Sequence, residues 1–449
     1  MKRQSGEPHD EPHRDLRHCG DMNLPALLKL DGVYLKNIGF QSSGTILAQI
    51  VNIASLPIIT RLFDPAEIGI FNLFVQALAI VTILISLRVE QVVMLPKADD
   101  DARQLVGFVA GFGAISCALL TAILACLVLA GWIPVTYREW VLILPLTSFL
   151  VVFAQASQQM SQRSFGFRRS GISEVANRAG NSLVSLGAGF LGLPGIWLGM
   201  ATAFGFVCKL LIISGWFFRL PKLRPFQAAN VGRNRLRQEK LDKLTGSMVL
   251  SHSMLAVTGM VPLGYISFRY GTALTGQFAL VIATLSFPTT LVGNAVGQVF
   301  YQRASHLSAH GSRFDSLLLA NARILLIVAV PAFLFIAVVG PLMYPFLFGV
   351  QWDVAGQTAQ IYALAAAFSF MTMPFDKSGL IVNAWWYGLG LQFGRLVTTL
   401  AVVVVGEIAS APYLTFIWLL AIQSAMLYAF DGCASYLFSR RNNKFLSRS

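Results

Sequence analysis

Residues 56–96 read LPIITRLFDPAEIGIFNLFVQALAIVTILISLRVEQVVMLP, and they contain the pattern that the rest of the chain repeats. One apolar run ends before Arg61, a turn with Pro65 follows, and a second run extends without a charge from Ile68 to Leu87. A helix rises about 1.5 Å per residue, so about 20 apolar residues cross the roughly 30 Å hydrocarbon core of a bilayer. The stretch therefore predicts the end of one transmembrane helix, a short turn and a complete second helix.

Runs of this length recur from Ile38 almost to the end of the chain. Of the 449 residues, 55% are hydrophobic and only 12% are charged, and the mean hydropathy is +0.64. The charged fraction is about half that of soluble globular proteins, which excludes a soluble protein, a disordered chain and a disulfide-rich scaffold. We predict an all-α polytopic membrane protein with about 12 transmembrane helices. The predicted spans are residues 38–60, 68–90, 104–130, 139–160, 172–190, 194–217, 246–268, 274–300, 317–339, 355–375, 379–405 and 411–438.

The basic residues lie mainly between the apolar runs and orient the chain in the membrane. The formal net charge is +13, which by itself would be compatible with a nucleic-acid-binding protein. If the N-terminus is cytoplasmic, the connections and tail on that side carry twenty Lys and Arg residues after the first span, and those on the opposite side carry only Arg61, Arg138 and Arg269. Cytoplasmic loops of membrane proteins are enriched in Lys and Arg. We therefore predict that both termini are cytoplasmic and that the protein binds no nucleic acid.

A basic segment divides the predicted spans into two sets of six, which indicates a duplication. A shift of 207 residues aligns Gly69 with Gly276 and Gln91 with Gln298, at the start and end of the second span in each half. Two parallel six-helix repeats would form two lobes with a central cavity between them; chance similarity between apolar helices is the alternative. The predicted units are a cytoplasmic tail at 1–36, an N-terminal lobe at 37–218, a basic linker at 219–245, a C-terminal lobe at 246–438 and a basic tail at 439–449.

The sequence carries no strong signal for catalysis or for metal binding. Gly187, Gly189 and Gly192 form a GxGxxG pattern, but they end a predicted span instead of following a strand, as a dinucleotide site requires. The chain contains no GxxxxGK[ST], HExxH or GxSxG motif and no CxxC pair. The largest predicted outer connection, residues 340–354, carries Asp353 as its only charge. We expect no enzyme activity, no cofactor and no metal site.

Five basic residues are predicted to lie inside the spans. Lys209 lies about fifteen residues into the sixth span and Arg395 near the middle of the eleventh, whereas the other three lie nearer the cytoplasmic ends. A cation at the bilayer centre costs about 2.5–3.5 kcal/mol on insertion scales, so it usually faces a protein interior or a watery cavity. The sequence therefore predicts a cationic cavity that suits phosphate. For Arg88, Arg178 and Arg323, snorkelling to the lipid headgroups is the alternative.

Three stretches of the chain resemble Wzx-type polysaccharide flippases. Residues 56–96 resemble the first two spans of that family, with a TRLF turn around Pro65 and Gly69 and an LRxEQ motif at 87–91. Residues 276–305, GQFALVIATLSFPTTLVGNAVGQVFYQRAS, resemble its eighth span, and residues 346–356, FLFGVQWDVAG, resemble the connection before its tenth. The resemblance covers about residues 34–440 and keeps the motifs in the same order.

This resemblance implies a member of the multidrug/oligosaccharidyl-lipid/polysaccharide (MOP) exporter superfamily. Such a protein would move an undecaprenyl-diphosphate-linked oligosaccharide across the bacterial inner membrane for surface polysaccharide synthesis. Its implied partners are membrane lipids, a polysaccharide polymerase and a chain-length regulator. Carried over by position, Arg88, Glu90 and Gln91 occupy the LRxEQ motif, while Pro65 and Gly69 shape the turn.

Three other functions stay open at this level. A cation-coupled multidrug extruder of the same superfamily often carries an acid in its first span, and residues 38–60 contain no charge. A lipid II flippase typically carries arginines within that span, whereas the nearest one here is Arg61, just after it. A membrane scaffold that does not transport would not require Lys209 and Arg395 inside the bilayer.

Overall fold

The computed structural model describes residues 32–96, 98–164, 166–213, 242–382 and 384–440. These residues form twelve helices of at least 18 residues, joined by short connections and, in the described ranges, without any strand. The helices are α1 Gly32–Leu62, α2 Pro65–Ser86, α3 Asp99–Leu129, α4 Val135–Arg163, α5 Phe167–Phe190, α6 Ile196–Ile213, α7 Asp242–Tyr270, α8 Thr272–Ala309, α9 Asp315–Phe348, α10 Asp353–Thr372, α11 Trp385–Ile408 and α12 Tyr413–Ser439. The predicted all-α fold with twelve long helices is confirmed.

Ten of the twelve helices are long and apolar enough to cross a membrane, and the two exceptions are α5 and α10. Each exception packs closely on several neighbours: α5 lies against α1 and α6, and α10 lies against α8, α9 and α12. Small and polar side chains let helices approach one another closely inside a membrane protein. The lower hydropathy of α5 and α10 therefore follows from contact with protein in place of lipid.

Two helices extend well past the ends of the predicted spans. α8 continues to Ala309 and α9 continues to Phe348, although the predicted spans end at residues 300 and 339. Pro341 and Pro345 lie inside the last turns of α9 without ending it. The predicted outer connection at 340–354 is therefore wrong, because only residues 349–352 separate α9 from α10.

The helices form two six-helix lobes, α1–α6 and α7–α12. Within the first lobe α1 packs on α5, α3 on α4, and α4 on α2 and α6; within the second α7 packs on α11, and α10 on α9 and α12. The lobes meet mainly through α2 against α7 and α8, with a smaller contact between α1 and α9. The predicted tails and basic linker fall largely on residues 1–31, 214–241 and 441–449, which lie outside the described residues.

The two glycines that the sequence shift aligns are in contact across the lobe boundary. A Cβ atom added to Gly69 would overlap the carbonyl oxygen of Thr272, and one added to Gly276 would overlap the carbonyl oxygen of Pro65. The first turns of α2 and α8 thus meet backbone to backbone. A side chain as small as alanine would not fit between them.

At the same end of the molecule, hydrogen bonds join the end of α1, before the turn at residues 62–65, to the end of α9 and the connection at residues 349–352. The carbonyl group of Thr60 lies in the last turn of α1, where a carbonyl oxygen has no N–H partner within the helix. It accepts hydrogen bonds from Trp352 Nε1 at 2.8 Å and from Gln351 Nε2 at 2.9 Å. Arg61 Nη2 donates to the carbonyl oxygen of Phe346 at 2.8 Å. We call this set of contacts the closed end.

Gly69→Ala is expected to separate the lobes at the closed end, because the added methyl group occupies the space of the Thr272 carbonyl. Spin labels on cysteines introduced at Trp132 and Ile408, both largely exposed, should report a longer separation by double electron–electron resonance in a background without the native cysteines. Gly107→Ala is the matched control, since no atom lies within 4 Å of its added Cβ. An unchanged distance distribution in Gly69→Ala would contradict this account of the closed end.

Candidate substrate cavity

A cavity of about 500 Å³ lies largely within the first lobe, at its boundary with the second, and is lined by α1, α2, α4, α5, α6 and α8. It extends along α2 from Ile68, near the closed end, to Arg88 at the opposite end. Ala279, Leu280 and Ala283 of α8 form the wall from the second lobe. Its polar lining includes Asn52, Asn72, Gln155, Asn181, Arg88 and Arg178. The predicted central cavity is confirmed as part of the fold, and two of the five predicted cations line it.

Arg88 enters the cavity through an unusual backbone turn at the end of α2. Leu87 and Arg88 both adopt the left-handed conformation, with φ of 49° and 59°, which is uncommon for residues other than glycine. The hydroxyl of Ser86 accepts a hydrogen bond from the Arg88 backbone N–H at 3.1 Å. A short 3₁₀ segment then begins at Val89. This turn stops α2 and directs the side chain at position 88 away from the helix that precedes it.

The Arg88 guanidinium keeps hydrogen-bonding capacity for a ligand. Its Nη1 lies 3.4 Å from the Oε1 of Glu90, a weak contact, and the side chain of Glu90 is only 2% exposed. The Nε of Arg88 is buried and has no hydrogen-bond partner among the described residues. A guanidinium offers five N–H donors. The single acid beside Arg88 therefore leaves most of its donors free for an anion in the cavity.

α5 brings Arg178 into the same cavity through a polar face that packs on both neighbours. Ser182 donates a hydrogen bond to the hydroxyl of Ser55 on α1 at 3.1 Å. Asn181 donates to the hydroxyl of Thr202 on α6 at 3.3 Å. These bonds fix the rotation of α5 about its axis. With that rotation, Arg178 lines the cavity.

Lys209 is held by an acid and does not belong to the lining of this cavity. Its residue is 3% exposed, and its Nζ lies 2.7 Å from the Oε1 of Glu174 on α5. Gln158 Nε2 donates to the same oxygen at 3.0 Å. Removing a charge from water is tolerated when a partner and hydrogen bonds replace the solvent. Lys209 thus forms an ion pair with Glu174 inside the first lobe.

Arg395 lines a separate pocket of about 240 Å³ in the second lobe. Its guanidinium lies 5.0 Å from the centre of the Tyr428 ring, within the range of a cation–π contact. The pocket is also lined by Tyr362, Gln423 and, from α2 of the first lobe, Gln76. The Nε of Arg395 is buried without a hydrogen-bond partner in the described part of the chain. Arg395 is thus an incompletely satisfied cation beside a pocket with polar and aromatic walls.

Arg323 lies apart from both spaces. It is an exposed residue of α9, and its neighbours Ile324 and Ile327 are 62% and 73% exposed. In a membrane these apolar neighbours face lipid. This placement agrees with the alternative interpretation, in which Arg323 reaches the headgroups.

The sequence interpretation did not single out two acids of the second lobe, Asp376 and Asp431. Asp431 lies in α12 and is 2% exposed, and Tyr387 donates a hydrogen bond to its Oδ1 at 2.8 Å. Asp431 could have been recognised from the sequence, because it is an acid inside a predicted span. Among the described residues, no group of three or more His, Cys, Asp or Glu side chains could hold a metal ion.

Comparisons with known proteins identify the family. Residues 58–357 match the family described as "Polysaccharide biosynthesis protein". No curated protein matches the chain.

Solved structures show the fold. The chain is similar to the outward-facing conformation of a multidrug resistance MATE family transporter of the MOP superfamily, with 14% identity, a TM-score of 0.59, and coverage of 93% of this chain and 99% of that one. The inward-facing conformation of such a transporter gives 13% identity, a TM-score of 0.58, and coverage of 88% and 96%. A mutant MATE transporter from Vibrio cholerae gives 14% identity, a TM-score of 0.51, and coverage of 91% of this chain and 96% of that one. The chain therefore belongs to the polysaccharide biosynthesis protein family, and it is a multi-pass membrane protein with the fold of MOP-superfamily transporters.

Proposed function

We propose that the protein is a flippase that moves an undecaprenyl-diphosphate-linked oligosaccharide across the bacterial inner membrane during surface polysaccharide synthesis. The observation that carries this proposal is the pair Arg88 and Arg178 in one cavity at the lobe boundary, where the buried Nε of Arg88 has no partner among the described residues. The family match adds polysaccharide biosynthesis as the context.

The cavity chemistry suits both parts of such a head group. Guanidinium groups bind phosphate oxygens through parallel, charge-assisted hydrogen bonds, so Arg88 and Arg178 would hold the diphosphate. The side-chain amides of Asn52, Asn72 and Gln155 can donate to and accept from sugar hydroxyls. The polyprenyl tail would stay in lipid while the head group crosses.

Lys209 acts in this proposal by keeping Arg178 available. Glu174 and Arg178 lie four residues apart on α5, the spacing at which opposite charges on a helix commonly pair. Glu174 instead gives its Oε1 to Lys209 and to Gln158. We therefore assign Lys209 a positioning role in place of the substrate contact that its depth predicted.

The closed end and the distribution of basic residues support transport from the cytoplasmic to the periplasmic side. The connections at the closed end belong to the side that is poor in Lys and Arg, so the positive-inside rule makes it the periplasmic end. The cavity of this conformation would then load from the cytoplasmic leaflet, and rocking of the lobes about α2 and α8 would expose it to the other side. A polymerase and a chain-length regulator would act on the product.

Arg88→Gln and Arg178→Gln should each reduce flipping roughly tenfold or more, because a hydrogen bond to a charged group contributes about 1.5–3 kcal/mol. The measurement is the amount of lipid-linked oligosaccharide retained on the cytoplasmic leaflet in cells that carry each variant. Arg323→Gln is the matched control and should flip normally. Full activity in both cavity variants would rule out the assigned head-group site.

A deletion strain tests the function itself. Lipid-linked oligosaccharide should collect on the cytoplasmic leaflet, and surface polysaccharide should be lost. Unchanged polysaccharide together with altered sensitivity to cationic drugs would assign the protein to multidrug export instead.

Lys209→Met should lower flipping because it frees Glu174 to pair with Arg178. Adding Glu174→Gln in the same chain should restore much of the activity, since Arg178 is then unpaired again. Both variants need a check of protein level in the membrane, because breaking a buried ion pair costs about 3–5 kcal/mol. A double variant that is folded and as inactive as Lys209→Met would contradict this positioning role.

A further inference from the structure

The pocket around Arg395 adjoins the cavity that holds Arg88 and Arg178. One wall of the pocket is Gln76 of α2, which follows the cavity residue Asn72 by four positions. On α8, Ile282 of the pocket follows Ala279 of the cavity by three positions. Residues three or four apart lie on the same face of a helix. The two spaces therefore lie side by side along α2 and α8, where one elongated ligand can occupy both.

Gln76 reaches into this pocket from the first lobe. A Cβ atom added to Gly259 on α7 would lie 3.1 Å from the Oε1 of Gln76, so the glycine leaves room for the amide. That amide makes no hydrogen bond to another residue that the structure describes. A glutamine side chain offers two donors and one acceptor oxygen. Gln76 therefore presents unused hydrogen-bonding groups at the lobe boundary.

Arg395 presents the edge of its guanidinium to the same space. One face of the group lies over the ring of Tyr428, 5.0 Å from its centre. Stacking uses the face of a guanidinium and leaves the N–H donors in its plane available for a bidentate contact with an oxyanion. The Nε is buried without a partner, and within the described ranges no carboxylate forms an ion pair with this side chain. An anion at this edge would satisfy it.

The other polar side chains of the pocket are mostly engaged. Gln423 Nε2 donates a hydrogen bond to the Oγ1 of Thr398 at 2.8 Å. The hydroxyl groups of Tyr362 and Ser424 lie 3.4 Å apart and share a hydrogen bond. The hydroxyl of Tyr428, in contrast, has no hydrogen bond to another described residue. The groups left for a ligand are thus one guanidinium, one amide and one phenol, beside two aromatic rings.

This set of groups fits a sugar that carries one carboxylate. A single cation matches a single negative charge, whereas a diphosphate carries more and is matched by the two arginines of the larger cavity. The carboxylate would bind the edge of Arg395, and the ring hydroxyls would hydrogen-bond to Gln76 and the hydroxyl of Tyr428. The rings of Tyr362 and Tyr428 line the pocket and offer apolar surface to the C–H groups of the sugar.

We propose that the pocket of Arg395, Gln76 and Tyr428 is a subsite for a carboxylate-bearing sugar, such as a uronic acid. The placement of this sugar in the oligosaccharide of a lipid-linked substrate rests on the proposed function, but the affinity of the pocket for an acidic sugar does not. The subsite selects among repeat units, because a neutral sugar leaves Arg395 without its anion.

The subsite is tested by saturation-transfer NMR titrations of the purified full chain in lipid nanodiscs. Methyl β-D-glucuronide should bind the wild type at millimolar concentration. Methyl β-D-glucoside, which has a hydroxymethyl group in place of the carboxylate, should bind roughly tenfold more weakly or less, as should the glucuronide to Arg395→Gln. Arg323→Gln is the matched control and should bind the glucuronide like the wild type. A wild-type protein that does not bind the glucuronide, or binds both sugars equally, would overturn the proposal.

Inorganic pyrophosphate separates this subsite from the proposed diphosphate site. It should bind wild type and Arg395→Gln equally, which also shows that the variant is folded, and it should not displace the glucuronide. Displacement would identify Arg395 as a phosphate site and overturn the proposal. Glucuronide binding without any pyrophosphate binding would instead count against the diphosphate site alone.

The substrate itself gives a second test. Sugar analysis of the lipid-linked oligosaccharide that accumulates in the deletion strain should find a carboxylate-bearing sugar. A repeat unit composed only of neutral sugars would overturn the selection that we assign to Arg395.

Discussion

The backbone contact between Gly69 and Gly276 determines how the two lobes meet. Lipid tails are as apolar as leucine side chains, so helices in a bilayer associate through close packing and hydrogen bonds and not through the hydrophobic effect. The approach of α2 to α8 requires glycine at both positions, since a Cβ on either would overlap a carbonyl group of the other helix. Thr60 then serves as the acceptor that ties α1 to the connection after α9. Because these contacts hold one end, the cavity extends toward the other.

The hydrocarbon environment explains where each cation lies. An uncompensated charge is expensive at membrane depth, so every basic residue within a span needs a partner, a cavity or an interface. Lys209 has Glu174 as its partner, Arg178 has the cavity, and Arg323 has the outer surface of α9. The same cost makes a cation that lacks hydrogen-bond partners a candidate for binding an anion. Arg88 and Arg395 each have a buried nitrogen that lacks an acceptor in the described ranges. A bound anion would supply that acceptor and lower the cost of burying the charge.

The sequence predicted the number of helices because bilayer thickness sets the length of an apolar run. It did not predict the true ends of α8 and α9: α8 continues into a polar stretch after its apolar run, and α9 continues through Pro341 and Pro345, which do not end it. It also could not distinguish Lys209 from Arg178. Both lie within spans, and it is the packing of α6 on α5 that places Glu174 beside Lys209. Asp431 was visible as an acid in a span, but its hydrogen bond from Tyr387 depends on the packing of α11 against α12.

The fifth helix of each lobe carries an arginine about three turns from its start: Arg178 on α5 and Arg395 on α11. The two lobes thus hold an arginine at a comparable place, and the surroundings of these two arginines differ. Arg178 shares its cavity with Arg88 and a set of side-chain amides, which suits a diphosphate with sugars attached. Arg395 stacks on the ring of Tyr428 in a smaller pocket of the second lobe. Because an arginine keeps its charge at physiological pH, both residues stay cationic, and an anion bound at either one would offset the cost of holding that charge inside the membrane.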